Sequence, residues 1–200
     1  MFALFEAPND LKSVVLSNDK CLLRCPDMKD IDVWIALREI SRDHLTEWEP
    51  NWSATDLTPS LIRSRMKAQR ADIRHGRSLP LFIFTTDGVT LVGGVTLSNI
   101  RHQSVSSAQI GYWIGAPFLR QGYAAAAVAS AVDFAMKSLG LNRIEAACQP
   151  NNERSTNLLE KIGFEREGLA RDYLFINGDW RDHVLFALTA RRFDSLRAND

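Results

Sequence analysis

Charge of one sign, long apolar runs and paired cysteines are all missing from this sequence, and each absence removes a class of protein. Lys plus Arg number 24 and Asp plus Glu number 24, a formal net charge of zero. A chain so balanced is not built as a general nucleic-acid coat or a polybasic membrane binder. No stretch approaches the roughly 18 uncharged apolar residues of a membrane-spanning helix. Residues 1–20 lack the basic-then-apolar pattern of a secretory leader, so no membrane association is expected. Cys21, Cys25 and Cys148 are an odd set with no disulfide framework, which suits a reducing cytoplasm. Cys21 and Cys25 have no second ligand pair, and His44, His75, His102 and His183 show no ligand spacing, so no metal is expected. Neither G-x-x-x-x-G-K-[ST] nor G-x-G-x-x-G occurs. Internal repeats, low-complexity tracts and Pro/Gly/Ser linkers are also absent.

What remains is an ordinary globular composition. The chain has 200 residues, 46% apolar and 24% charged, enough for one domain with a sizeable core. Residues 13–194 are expected to form it, with 1–12 and 195–200 loosely attached. Apolar spacing predicts a short strand at 20–25, a helix over 27–45, and a Trp- and Pro-rich loop through 57. Thr58 and Pro59 open a second helix to about 75. Strands at 81–85 and 90–97 flank the turn signal Asp87-Gly88, and a third follows at 108–114. An Ala-dense helix over 122–139 stops at Gly140. Then come a strand at 143–148, a helix at 152–162 and a hairpin of 173–176 and 180–189 about Asn177-Gly178. This order predicts an α+β fold: a mostly antiparallel mixed sheet of about seven strands flanked by about four helices.

Two stretches carry chemistry. In the first, a strand ending at Ile114 runs through a loop to Gly122, Tyr123, Ala124 and Ala125, which open the long helix. Small residues admit a ligand close to the backbone, and unpaired first-turn N–H groups suit a pyrophosphate. A plain turn is the competing reading. In the second, Asn152 caps a helix that Gly163 stops, and Ser155 sits in its first turn. A capped helix alone explains Asn152 and Gly163; it leaves the Ser155 hydroxyl open.

Together these stretches resemble the Gcn5-related N-acetyltransferase (GNAT) superfamily. Leu119-Arg120-Gln121-Gly122-Tyr123-Ala124 matches its phosphate loop [QR]-x-x-G-x-[GA], and Asn152, Ser155, Lys161, Gly163 and Phe164 match its later helix. More narrowly the chain is similar to ribosomal-protein-alanine N-acetyltransferases of the RimJ/RimL type, through Trp48-Glu49-Pro50, Ile110-Gly111-Tyr112, Gly122-Tyr123 and the 171–185 tail. The resemblance covers about residues 17–192. It implies a sheet splayed at an acetyl-CoA site. It implies that main-chain N–H groups of Arg120, Gln121, Gly122, Tyr123, Ala124 and Ala125 grip the pyrophosphate. It implies that the pantetheine arm follows Tyr112, Trp113 and Ile114, with Asn152 and Ser155 at the arm and thiol. Leu119 departs from the usual Gln or Arg, which matters little for a main-chain grip.

The implied reaction is direct acyl transfer to an amine, with a strand N–H near Ile114 facing the oxyanion. Relatives often use a Tyr as acid at the position that is Leu159 here, which leaves Ser155 as the candidate acid. Glu49 and Asp172 are the two candidate bases, each with an alternative life as a solvated loop carboxylate. The expected acceptor is a protein N-terminus, that of a ribosomal protein. Small-molecule amines, or a non-catalytic CoA-binding regulator, are the alternatives. A monomer and a homodimer are both compatible with the sequence. Finally, the zero net charge hides a division. Residues 27–57 hold eight acids and three bases, whereas residues 58–77 hold six bases and one acid. Helix faces pairing with each other explain this; so does an acidic mouth beside a basic face that meets an acidic partner such as ribosomal RNA.

Overall fold

The computed structural model describes residues 11–53 and 55–198. Eight strands form one sheet: β1 (Val15–Ser17), β2 (Leu22–Arg24), β3 (Leu79–Phe84), β4 (Leu91–Arg101), β5 (Ser107–Ile114), β6 (Arg143–Cys148), β7 (Glu165–Ile176) and β8 (Asp179–Thr189). Their spatial order is β1-β2-β3-β4-β5-β6-β8-β7. Every neighbouring pair is antiparallel except β5 with β6. The α+β class and the mixed, mostly antiparallel sheet agree with the sequence reading. The count is eight rather than seven because three-residue β1 is too short to show a period.

Among the described residues six α-helices accompany the sheet: α1 (Ile31–Ile40), α2 (Arg42–Leu45), α3 (Pro59–Arg74), α4 (Tyr123–Lys137), α5 (Glu153–Ile162) and α6 (Ala190–Arg197). The helix expected over 27–45 is broken at Ser41. Its hydroxyl is buried and accepts a hydrogen bond from the Ala116 N–H at 2.9 Å, so the chain turns there to reach the end of β5. α6 begins in the predicted final strand's last residue: Thr189 caps it, accepting from the Arg192 N–H, and Phe193 is buried. Leu11, in the stretch expected to be loose, is also buried in the core. Residues 195–197 of the other expected end belong to α6, and residues 1–10, 199 and 200 lie outside the described residues.

Packing follows from composition. α4 buries Ala127, Val128, Ala131, Val132 and Ala135, a stripe of small side chains at helical spacing. It packs on β4 and β5. Leu91 through Val95 of β4 are buried without alternation, as in a strand covered on both faces. α1 packs on β4 and on α3, where Ile31 meets Ile62 and Met66. At the far edge β7 is exposed almost throughout and bulged twice, which erases the alternation that would have marked it beyond 173–176.

Candidate active site

The site is a fault in the sheet. β5 and β6 pair only from Ser107 to Gln109 against Arg143 to Glu145. Beyond that, β5 stays with β4 as far as Ile114 and β6 stays with β8 as far as Cys148, so the two strands separate. One edge of β5 past Gln109 thus presents backbone groups with no strand partner. The gap opens into a cleft of about 790 Å³. Tyr112, Trp113 and Ile114 form one wall and Ala146, Ala147 and Cys148 the other.

At one end the cleft meets the start of α4. Gly122 precedes the helix with φ +83°, and Arg120 has φ +60°, so two left-handed residues coil the chain into a tight loop. A side chain built at Gly122 would meet no protein atom within 4 Å; it would point into open space. Among the described residues, the N–H groups of residues 120 to 125 donate to no protein acceptor; the first bonded one is Ala126, to the Gly122 carbonyl at 3.1 Å. Six free donors, concave backbone and the positive end of a 15-residue helix make an anion cradle. Leu119, Arg120, Gly122, Tyr123, Ala124 and Ala125 line the cleft; Gln121 does not, its amide donating back to the Pro117 carbonyl at 2.9 Å. The fit to a CoA-like ligand is good: an anion cradle at one end and a narrow gap of strand edge at the other.

In the middle lie Tyr112 and Ser155. Their hydroxyl oxygens are 2.6 Å apart and share one hydrogen bond. Asn152, capping α5, accepts from the Ser155 N–H at 3.1 Å and thereby fixes the first turn that carries the hydroxyl. Burial pushes the Tyr112 phenol up to about 12, against the opposing pull of its bond to Ser155. Tyr112 therefore stays protonated across the physiological range and can only give a proton through Ser155 or recover one.

The other end is closed by the loop after α2. The Gln149 amide donates to the Glu47 carbonyl at 3.3 Å, tying that loop to the end of β6. Glu49 lines the cleft, but both its oxygens are engaged: Arg38 grips them in a bidentate fork, and the Trp52 indole N–H donates to one at 3.0 Å. The Glu49 carbonyl accepts the Asn177 N–H at 3.0 Å, joining the loop to the final hairpin. Asp172 is placed differently from expectation. It is exposed, outside the cleft lining, at a left-handed kink (φ +46°) in β7 whose N–H donates to Asp182. It lies within the register shift between Ala170 and Leu174 of β7.

Sequence reasoning missed two residues here. Arg38 is buried, with its guanidinium 4.3 Å from the Trp52 ring, 4.8 Å from Trp113 and 5.4 Å from Trp34. A charge seven residues after Ile31 on the apolar stripe of α1 was the available signal. Gly94 belongs to the same cage: a Cβ there would lie 2.6 Å from the Trp113 indole nitrogen. The second residue is His44, set aside for want of metal spacing. It lines the cleft, half-buried, with no hydrogen-bond partner among the described residues. Burial and nearby Arg154 hold its imidazole below the usual value, outweighing Glu47 and Glu49, so it is neutral at pH 7.

Comparison with known proteins converges on one family. The family model described as "Acetyltransferase (GNAT) domain" matches residues 20–165. The [ribosomal protein uS5]-alanine N-acetyltransferase of Escherichia coli is 31% identical over 188 residues, covering 93% of this chain and 96% of that protein. A Mycobacterium smegmatis RimJ structure in complex with CoA-disulfide superposes with a TM-score of 0.84 at 32% identity, covering 95% of this chain and 98% of that one. The ribosomal-protein-S5-alanine acetyltransferase of Vibrio fischeri gives 0.84 at 28% identity, covering 90% and 99%.

Proposed function

The chain belongs to the acetyltransferase (GNAT) family, and from that premise we propose that it moves the acetyl group of acetyl-CoA to the N-terminal α-amino group of a ribosomal protein. It is an N-acetyltransferase close to the ribosomal-protein N-acetyltransferases in sequence and fold. The observation that carries the reading is the cleft itself: six unpaired N–H donors at one end and the Tyr112–Ser155 pair beside the strand gap. A ribosomal acceptor implies a cytoplasmic enzyme.

Acetyl-CoA supplies an activated thioester. The loop from Arg120 to Ala125 holds its phosphates, and the free edge of β5 from Tyr112 to Ile114 holds its arm, with Asn152 setting Ser155 beside the thiol. The free strand edge also offers N–H donors to the oxygen that gains charge as the amine adds. Ser155 gives its proton to the departing sulfur and takes one from Tyr112, whose raised pKa makes it a reserve rather than a base. The attacking amine must lose a proton. An α-amino group ionises at about 7.7–8.0, so a weak base suffices. His44 is neutral, lines the cleft and has no hydrogen-bond partner among the described residues; it fills this role, through water where needed. Glu49 serves instead as the counterion that holds Arg38, Trp52 and the loop in place. Holding amine and thioester together supplies much of the rate.

The test is a steady-state assay of thiol release with three acceptors: a peptide beginning with Ala, the same peptide with a blocked N-terminus and an internal Lys, and spermidine. The first alone should turn over efficiently. A higher kcat/KM for spermidine overturns the protein acceptor and leaves a small-amine enzyme.

A further inference from the structure

α3 carries five of the six bases in the basic stretch that follows the acidic one, and the fold sorts them by partner. With about 100° per residue, its buried residues Ile62, Met66 and Ile73 define one face. Arg65 lies to one flank of that face and pairs with Asp56 at 2.6 Å. Asp72, the one acid in the helix, lies on the same flank and pairs with Arg77 at 2.7 Å. Arg63, Lys67, Arg70 and Arg74 fall on the other flank, at helical spacing and within roughly 60° of arc. Among the described residues none of these four has an acidic partner. Three of them are exposed. The chain is neutral overall, yet among the described residues no acid pairs with this row.

The row also borders a hollow. Lys67, Arg70 and Arg74 line a surface cavity of about 320 Å³ with Lys12 and Ile73. Lys12 comes from the N-terminal segment packed against α3, so a fifth cation is brought beside the row from elsewhere in the chain.

We infer that this flank of α3 is a docking surface for the phosphate backbone of a structured RNA. From Arg63 to Arg74 the four cations span 11 helical rises, about 16 Å at 1.5 Å each, or one charge per roughly 5.5 Å. A straight row at that pitch matches a linear array of backbone phosphates better than it matches the irregular acids of a folded protein. Three of the four are Arg, whose planar fork takes two phosphate oxygens at once. No aromatic side chain stands in the row to stack on a base, so the surface reads backbone and shape without reading sequence. None of the four lines the acetyl-transfer cleft, so RNA bound here does not need the acetyl-transfer groups.

The experiment is fluorescence anisotropy of the full chain with a labelled 20-base-pair RNA duplex across a salt series, with a polyglutamate peptide as the competing acidic partner. Binding of the duplex should weaken with salt at a slope of about 3 for four phosphate contacts. The double variant Lys67→Gln, Arg74→Gln should lower that slope by about 1.5 and the affinity about tenfold, and Lys67→Glu, Arg74→Glu more. Both variants should keep wild-type acetyl transfer to a free peptide, which certifies their fold. Equal RNA affinity in wild type and variants overturns the assignment. So does polyglutamate binding as tightly as RNA, which would make the partner an acidic protein.

Discussion

At the residue scale the proposed chemistry falls to Ser155 and Tyr112, whose hydroxyls share one hydrogen bond, and the two can be told apart from mere binding groups. A general acid acts in the transition state, so Ser155→Ala should lower kcat by about 100-fold while acetyl-CoA affinity in calorimetry changes little. An unchanged kcat would remove Ser155 from the reaction. His44 makes a different prediction because its protonated form is the inactive one. Its pKa is depressed below the usual 6.5, so kcat/KM should acquire an acid limb only as pH falls below about 6.5, distinct from the limb of the substrate amine near 7.7–8.0. His44→Gln should abolish the lower limb and cost about tenfold at pH 7, a modest loss because the amine is already partly free. A persistent lower limb in that variant would point to another base. Ser155 was legible because it stands at a fixed offset from Asn152. His44 was not, because its role depends on a cleft wall and on Arg154, a residue 110 positions away.

Two elements set the frame in which those residues act. The loop before α4 works through backbone donors, and Gly122 separates charge from shape cleanly. Its Cβ position is open, and Asp and Asn tolerate left-handed φ better than most residues. Gly122→Asp should therefore fold and abolish acetyl-CoA binding in calorimetry, while Gly122→Asn should weaken it far less. Equal losses in both would mean strain, not anion recognition, is responsible. The loop after α2 depends on the Arg38–Glu49 fork inside its Trp cage. Glu49→Gln should cost about 2 kcal/mol, a fall in Tm of roughly 5 °C, by loosening a largely buried charge pair. The pH profile should keep its shape, because Glu49 is a positioning residue; loss of a limb in this variant would return Glu49 to the role of base. Helix starts and stops were legible at α3 and α5 from Thr58-Pro59, Asn152 and Gly163. The break at Ser41 was not, because it answers to Ala116, 75 positions away; nor was the kink at Asp172, which falls in an exposed, bulged stretch of β7 with no buried face to mark it.

On the scale of the whole molecule, the sheet order explains why these pieces meet. A single parallel contact, β5 with β6, forces a crossover through α4 and leaves the two strands free to part. The elements that line the cleft gather at that parting: the start of α4, the first turn of α5, and the loop after α2 tied across to β6 and to the final hairpin. The sequence conveyed most of the sheet through its alternation and turn signals, and marked the loop before α4 through its small residues and its resemblance to a phosphate loop. It could not convey β1 or the exposed part of β7, where no buried face exists to impose a period. Nor could it show that the acidic and basic segments only partly neutralise each other, a matter of which flank of α3 each cation occupies.

The central claim is direct transfer in this cleft to a terminal amine. Mass spectrometry of a single turnover, with enzyme in excess over an Ala-starting peptide that also contains Lys, tests it most directly. Direct transfer leaves one acetyl group on the peptide's α-amino nitrogen and none on the enzyme. An acetylated enzyme that chases into product, or an acetyl group on the Lys side chain, would contradict it.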